Sequence, residues 1–387
     1  MSRIAPFAFF ISLMLTFSSC KKTKVVKKEK KQITLKHKIG QMIMVGFRGS
    51  QITEVNPIYK MVADYKIGGV VLYSRDLPSQ EKIKRNVESP EQLKKLNADL
   101  QKIDTTKLLI AIDEEGGFVT RLSIKDGFKY HKSHQIIGDI GNLDSTKLWA
   151  KNMSSELSEL GINMNFGPVI DLNINKENPI IGGRERSFSD DLETVITNAK
   201  IFVEEHSKNQ ISCVPKHFPG HGSSDKDSHK GLTDVTNTWS KKELLPFKTL
   251  IQDNLIGVVM TSHVYNENLD TLPATLSPKI INNLLRKEYD FNGVVISDDM
   301  QMRAISNFYN FETAIEKALI AGVDMLLFSN NAAPCSEDST DCLEIPFNPN
   351  IAKRAITHIE HLVEEGIISE KRINDSYQRI LELKDVL

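Results

Sequence analysis

Eight short apolar runs recur along the chain, and no other feature restricts its fold as much. They are "MIMVGF" (42–47), "GGVVLYS" (68–74), "LLIAID" (108–113), "NMNFGPVID" (163–171), "CVPKH" (213–217), "GVVMTSH" (257–263), "GVVISD" (293–298) and "DMLLFS" (324–329). Segments of helix length lie between them, such as "PEQLKKLNADLQKI" and "DLETVITNAKIFVEEHSKN", in which apolar residues return every three or four positions. Near-continuous apolar strands are buried on both faces, which calls for a parallel sheet. Eight β-then-α units predict an α/β chain folded as a single (β/α)8 TIM-type barrel. An open doubly wound sheet is the alternative, but the Gly-rich phosphate fingerprint of a dinucleotide site is missing.

Polar residues cluster where the runs end. Asp113, Lys216 and His217, His263 and Asp298 close four of them. A barrel gathers such strand ends on one face, where barrel enzymes place their chemistry. The densest cluster is "KHFPGHGSSDKDSH", Lys216 to His229. His217, His221, Asp227 and His229 have the right types to ligate zinc. Pro219 and Gly220, however, break the helix that would bring His217 and His221 onto one face, so no metal and no cofactor are expected. Acid–base chemistry fits better: Asp227 stands two residues from His229 and can orient an imidazole whose unperturbed pKa is about 6.5. Asp298 ends a buried strand, and a buried carboxylate needs partners. Lys216, Arg121 and Arg186 are candidate cations for that face or for substrate hydroxyls. His221 and His263 are expected to be structural.

These motifs, together with "IDEEGGFVTRL", "GGRERSF", "FGPVIDLN" and "GVVISDDM", closely resemble glycoside hydrolase family 3, in its β-N-acetylglucosaminidase (NagZ-type) subgroup, over nearly all of residues 34–387. The resemblance implies a retaining exo-β-N-acetylglucosaminidase that passes through a covalent glycosyl-enzyme. It implies Asp298 as nucleophile, His229 as acid/base, Asp227 as its assistant, and Asp113, Arg121, Arg186, Lys216 and His217 as sugar-binding residues. It also selects Asp298 over Asp299, which periodicity cannot do. Phe118 stands where the family often has arginine or lysine, and "GGRERSF" is longer than the usual form. Many relatives take the acid/base from a second domain; this chain ends at Leu387, soon after its barrel, so its own mobile Asp-Ser-His loop is expected to supply it. Alternatives are a phosphorylase or β-glucosidase of the same family, and a non-catalytic sugar-binding lipoprotein. A peptidoglycan fragment or another N-acetylglucosaminide is the expected substrate.

The first twenty residues, "MSRIAPFAFFISLMLTFSSC", carry one positive charge, a short apolar run, then small residues and a cysteine. They resemble a bacterial lipoprotein signal with Cys20 as the lipid-bearing residue, although Phe17 departs from the usual pattern. Residues 21–33 form a basic tether. The net charge is −1, yet residues 21–38 hold nine lysines against one glutamate, which leaves a mildly acidic body and no sign of a nucleic-acid partner. The expected address is export and membrane anchoring, facing the periplasm. In that compartment Cys335 and Cys342, which flank "SEDSTD", are candidates for a disulfide, whereas Cys213 is expected to be a buried free thiol.

Overall fold

The computed structural model describes residues 1–2, 33–79, 83–335 and 343–387. The barrel is the compact unit Thr34–Leu387. Among the described residues its strands are β1 Ile43–Gly46, β2 Gly69–Leu72, β3 Leu109–Ile112, β4 Met164–Asn165, β5 Ser212–Cys213, β6 Val258–Met260, β7 Val294–Ile296 and β8 Leu326–Phe328. They lie inside or within one residue of the eight apolar runs. A continuous parallel sheet runs β8–β1–β2–β3–β4–β5, and β6 pairs in parallel with β7. Single parallel bridges complete the circle, Phe218 with Thr261 and Ile296 with Met325. The sheet is thus closed, and the open doubly wound alternative is excluded.

All eight strands are shorter than their runs, and β4 and β5, at two residues each, are the shortest. The ladder between β4 and β5 has only two residue pairs and continues as the bridge Val169–Lys216. Pro168, Pro215 and Pro219 interrupt this part of the barrel, and proline has no N–H to give to a ladder. Here the chain leaves regular structure and aims side chains inward. The peptide bonds Gly167–Pro168, Lys216–His217 and Phe218–Pro219 are cis.

Each strand is followed by a helix, and local chemistry starts many of them. Ser89 caps Pro90–Gln101, its hydroxyl accepting from Gln92 N at 3.2 Å, with Pro90 at the first helical position. Leu93, Leu96 and Leu100 of that helix are buried, the spacing of one helical face. Asn142 and Asp191 cap Leu143–Glu159 and Leu192–Lys208 in the same way. The helix after β6, Lys279–Glu288, is wound as a π-helix. No helix among the described residues is long and apolar enough to cross a membrane. Cys213 is a buried free thiol. Cys335 is disulfide-bonded, and Cys342, its expected partner, lies outside the described residues.

At the start of β8, Asp324 is fully buried and fastens β7 to the barrel. Its Oδ2 accepts from Val295 N at 2.9 Å and from Arg286; its Oδ1 accepts from Arg379 at 3.0 Å and from Ser376, with Arg372 at 3.6 Å. Removing one partner of a buried ionic network leaves uncompensated charge. Asp324→Ala is therefore expected to lower the unfolding free energy by about 3–5 kcal/mol in guanidinium denaturation. A loss below about 1 kcal/mol, the range of exposed ion pairs, would show that the three arginines do not depend on it.

Candidate active site

Three cations and three carboxylates interlock at the ends of β3, β4 and β5. Lys216, almost fully buried, reaches Asp113 Oδ1 and Glu115 Oε1, each at 2.8 Å. Arg186 grips Glu115 with two bonds, Nε to Oε2 at 2.7 Å and Nη2 to Oε1 at 2.8 Å. Arg121 Nη2 reaches Asp113 Oδ2 at 3.0 Å. Asp171 accepts from His217 Nδ1 at 2.6 Å and from His221 N at 2.9 Å. Arg186 also donates to His217 Nε2 at 3.2 Å. A guanidinium can only donate, so Nε2 accepts and the His217 proton sits on Nδ1, toward Asp171. Burial alone would raise all three carboxyl groups. The charges of Lys216 and Arg121 hold Asp113 below the usual range, Arg186 and Lys216 hold Glu115 well below it, and His217 does the same for Asp171.

The loop after β5 has a fixed stem and an exposed tip. Gly220 has φ +120°, and a Cβ there would come within 2.4 Å of the Glu243 Cβ. Glu243 accepts from Gly222 N at 2.9 Å and Ser223 N at 3.3 Å through one oxygen, and from Ser240 N at 3.2 Å through the other. Burial pushes its carboxyl up to about 7. His221 spans Ser224 Oγ at 2.9 Å and Ser228 Oγ at 3.1 Å. Burial brings its imidazole down to about 4, which keeps it neutral as a structural link. Ser228 O also accepts from Ala304 N at 3.3 Å, which joins the loop to the segment after β7. His229 follows, with its side chain 61% exposed. Its Nδ1 donates to Asp227 Oδ1 at 2.8 Å, and the same oxygen accepts from His229 N at 2.9 Å. Burial opposes ionisation of Asp227, but the His229 hydrogen bonds prevail and bring it down to about 2. Among the described residues His229 Nε2 has no hydrogen-bond partner, which leaves it to exchange a proton.

Asp298 and Asp299 follow β7 with different environments. Asp298 is partly exposed. Its Oδ1 accepts from Asp299 N at 2.7 Å. Burial alone would raise its carboxyl; the nearby imidazoles of His263, His217 and His229 bring it below the usual range. Asp299 is committed to the loop, accepting from Ser329 N at 2.9 Å and Gln301 N at 3.1 Å, and burial pushes it up to about 6. His263 Nε2 donates to Asp299 O at 2.9 Å, and its Nδ1 meets Thr275 Oγ1 at 2.8 Å. The barrel thus brings an ionisable carboxylate, an oriented imidazole and a polar, charge-balanced corner onto one face.

Lys216, Arg121 and Arg186, the candidate cations of this face, pair with Asp113 and Glu115, whereas Asp298 faces histidines. Glu115, Asp171 and Glu243 were missed by sequence reasoning. The doubled acid of "DEEGG" and the strand-end aspartate of "FGPVID" were visible signals for the first two, while Glu243 lies in an ordinary helix start with none. Among the described residues no group of three or more histidine, cysteine or acidic side chains converges in a metal-binding arrangement. Phe118, 65% exposed, tips the hairpin between Asp113 and Arg121.

Residues 34–383 match the Glycosyl hydrolase family 3 N terminal domain model. A β-hexosaminidase of Nitrosomonas eutropha is 32% identical over 308 residues, which cover 76% of this chain and 82% of that one. The solved structure of a glycoside hydrolase family 3 β-N-acetylglucosaminidase from Paenibacillus sp. str. FPU-7 superposes with a TM-score of 0.80 at 35% identity, over 92% of this chain and 63% of that one. A β-N-acetylhexosaminidase from Beutenbergia cavernae, at 24% identity and a TM-score of 0.77, shares the fold over 92% of this chain and 99% of that one.

Proposed function

The chain belongs to glycoside hydrolase family 3, and from that premise we propose that it is a retaining exo-β-N-acetylglucosaminidase acting on terminal β-linked N-acetylglucosamine. The observation that carries this reading is the pairing, on one barrel face, of a partly exposed, ionised Asp298 with the Asp227–His229 dyad. The names of its relatives, β-hexosaminidase and β-N-acetylglucosaminidase, point to the same activity.

Asp298 attacks the anomeric carbon as the glycosidic bond breaks. The bonding pair goes to the leaving oxygen, which takes a proton from His229 Nε2. Water then attacks the same carbon, gives its proton back to His229 and releases Asp298 with overall retention. Retaining enzymes ordinarily use two carboxyl groups about 5–5.5 Å apart. A histidine replaces one of them here, and Asp227 orients its ring through the Nδ1 hydrogen bond. Asp113, Arg121, Arg186, Lys216 and His217 bind the sugar's polar groups, their mutual ion pairs keeping them charged and in place.

We further propose that Cys20 carries a lipid and that residues 21–33 tether the barrel to a membrane facing the periplasm. The signal-like first twenty residues support this reading. Peptidoglycan fragments are the N-acetylglucosaminides such an enzyme would meet.

His229→Ala is expected to slow turnover of a poor-leaving-group disaccharide at least about 100-fold, the low end of general-acid contributions, and to spare a dinitrophenyl glycoside, which needs no proton. Equal losses on both substrates would make His229 a binding residue. Cys20→Ser is expected to move the protein from the membrane to the soluble fraction; a wild type already soluble after fractionation would reject the anchor.

A further inference from the structure

Tyr73 directly follows β2, at the same end of the barrel as Asp113 and Asp298. Its backbone is locked: Tyr73 N donates to Asn86 Oδ1 at 3.0 Å, and its carbonyl accepts from Asn86 N at 2.9 Å. Its ring is fixed as well. The guanidinium of Arg121 lies 5.6 Å from the ring centroid and that of Arg85 5.9 Å. Gly46 at the end of β1 lies close to it: a Cβ there would meet Ser329 O at 1.9 Å and the ring Cε2 at 3.2 Å.

The hydroxyl is different. It has no hydrogen-bond partner among the described residues, although the side chain is partly buried. Burial first, then the carboxylates of Asp113 and Asp299, push the phenol well above its ordinary range. The geometry ties the ring to the same corner, because the guanidinium that faces it holds Asp113 Oδ2 at 3.0 Å. Arg121, whose Nη2 holds Asp113, also keeps a buried Nε with no partner. Buried polar groups normally find partners. Here Arg121 Nε lacks one, and the hydroxyl of the ring that its guanidinium faces has none among the described residues either.

We infer that the Tyr73 hydroxyl is a substrate-binding group, which hydrogen-bonds a ring hydroxyl of the terminal sugar held by Asp113 and Arg121. The inference rests on the N-acetylglucosaminidase reading and adds a specificity residue to it. Tyr73 acts by binding; it takes no part in proton transfer or nucleophilic attack. Sequence reasoning could not find it, because "GGVVLYS" reads as a buried strand whose last aromatic belongs to the core.

The test uses the full chain and its Tyr73→Phe variant, an aryl N-acetyl-β-glucosaminide, and the analogues lacking one ring hydroxyl each. Tyr73→Phe is expected to lower kcat/KM on the parent substrate about 3- to 10-fold, the range of a single neutral hydrogen bond, with thermal stability unchanged. On one deoxy analogue the two proteins are expected to be equal, because the contact is already absent. Unchanged kcat/KM on the parent, or losses that multiply on every analogue, would overturn the inference while leaving the activity standing. A wild type inert on the parent substrate would instead overturn the reading beneath it, and the inference with it.

Discussion

Lys216 holds two carboxylates at once, and the rest of the site is arranged around that fact. Asp113 comes from the end of β3 and Glu115 from the hairpin beyond it; Lys216 comes from the irregular end of β5. Arg186 closes the lattice on Glu115 and passes it to His217, and His217 to Asp171. Buried ion pairs of this kind contribute little net stability, because desolvation offsets most of the attraction. Their effect is positional. Each charged group of this corner is held ionised and in one geometry, the preorganisation that the proposed sugar binding requires.

The same lattice sets the catalytic loop. Asp171 accepts the backbone N–H groups of His217 and His221, so the carboxylate that fixes the His217 imidazole also fixes where the loop begins. Glu243 holds its stem from the other side. Only the tip, with Asp227 and His229, is left exposed, and Ser228 ties even that to the segment after β7. A rigid stem with an exposed tip fits a group that must meet a leaving group and then admit water.

The barrel was legible because burial on both faces writes itself as uninterrupted apolar runs. The places where it failed are instructive: β4 and β5 read as full strands, but prolines at 168, 215 and 219 cut their ladders to two residues each. The ionisable groups at strand ends were legible by type. Their partners were not, since pairing across the barrel depends on which strand end leans toward which. Lys216 thus read as a cation of that face without a named partner, and only the fold assigns it to Asp113 and Glu115. Glu243 and Tyr73 were invisible for another reason. Each sits in a pattern that a helix start or a strand end explains without any site, and their roles arise only from what other segments bring beside them.

Covalent trapping bears most directly on the central claim, that Asp298 is the nucleophile of a retaining enzyme. A 5-fluoro N-acetylglucosaminyl fluoride slows breakdown of a glycosyl-enzyme, so digestion and mass spectrometry can locate the sugar. The label is expected on the peptide containing "GVVISDDM", at Asp298, with Asp299 unlabelled because its carboxylate is engaged by Ser329 and Gln301. A label on any other residue, or a first-formed product of inverted anomeric configuration, would contradict it.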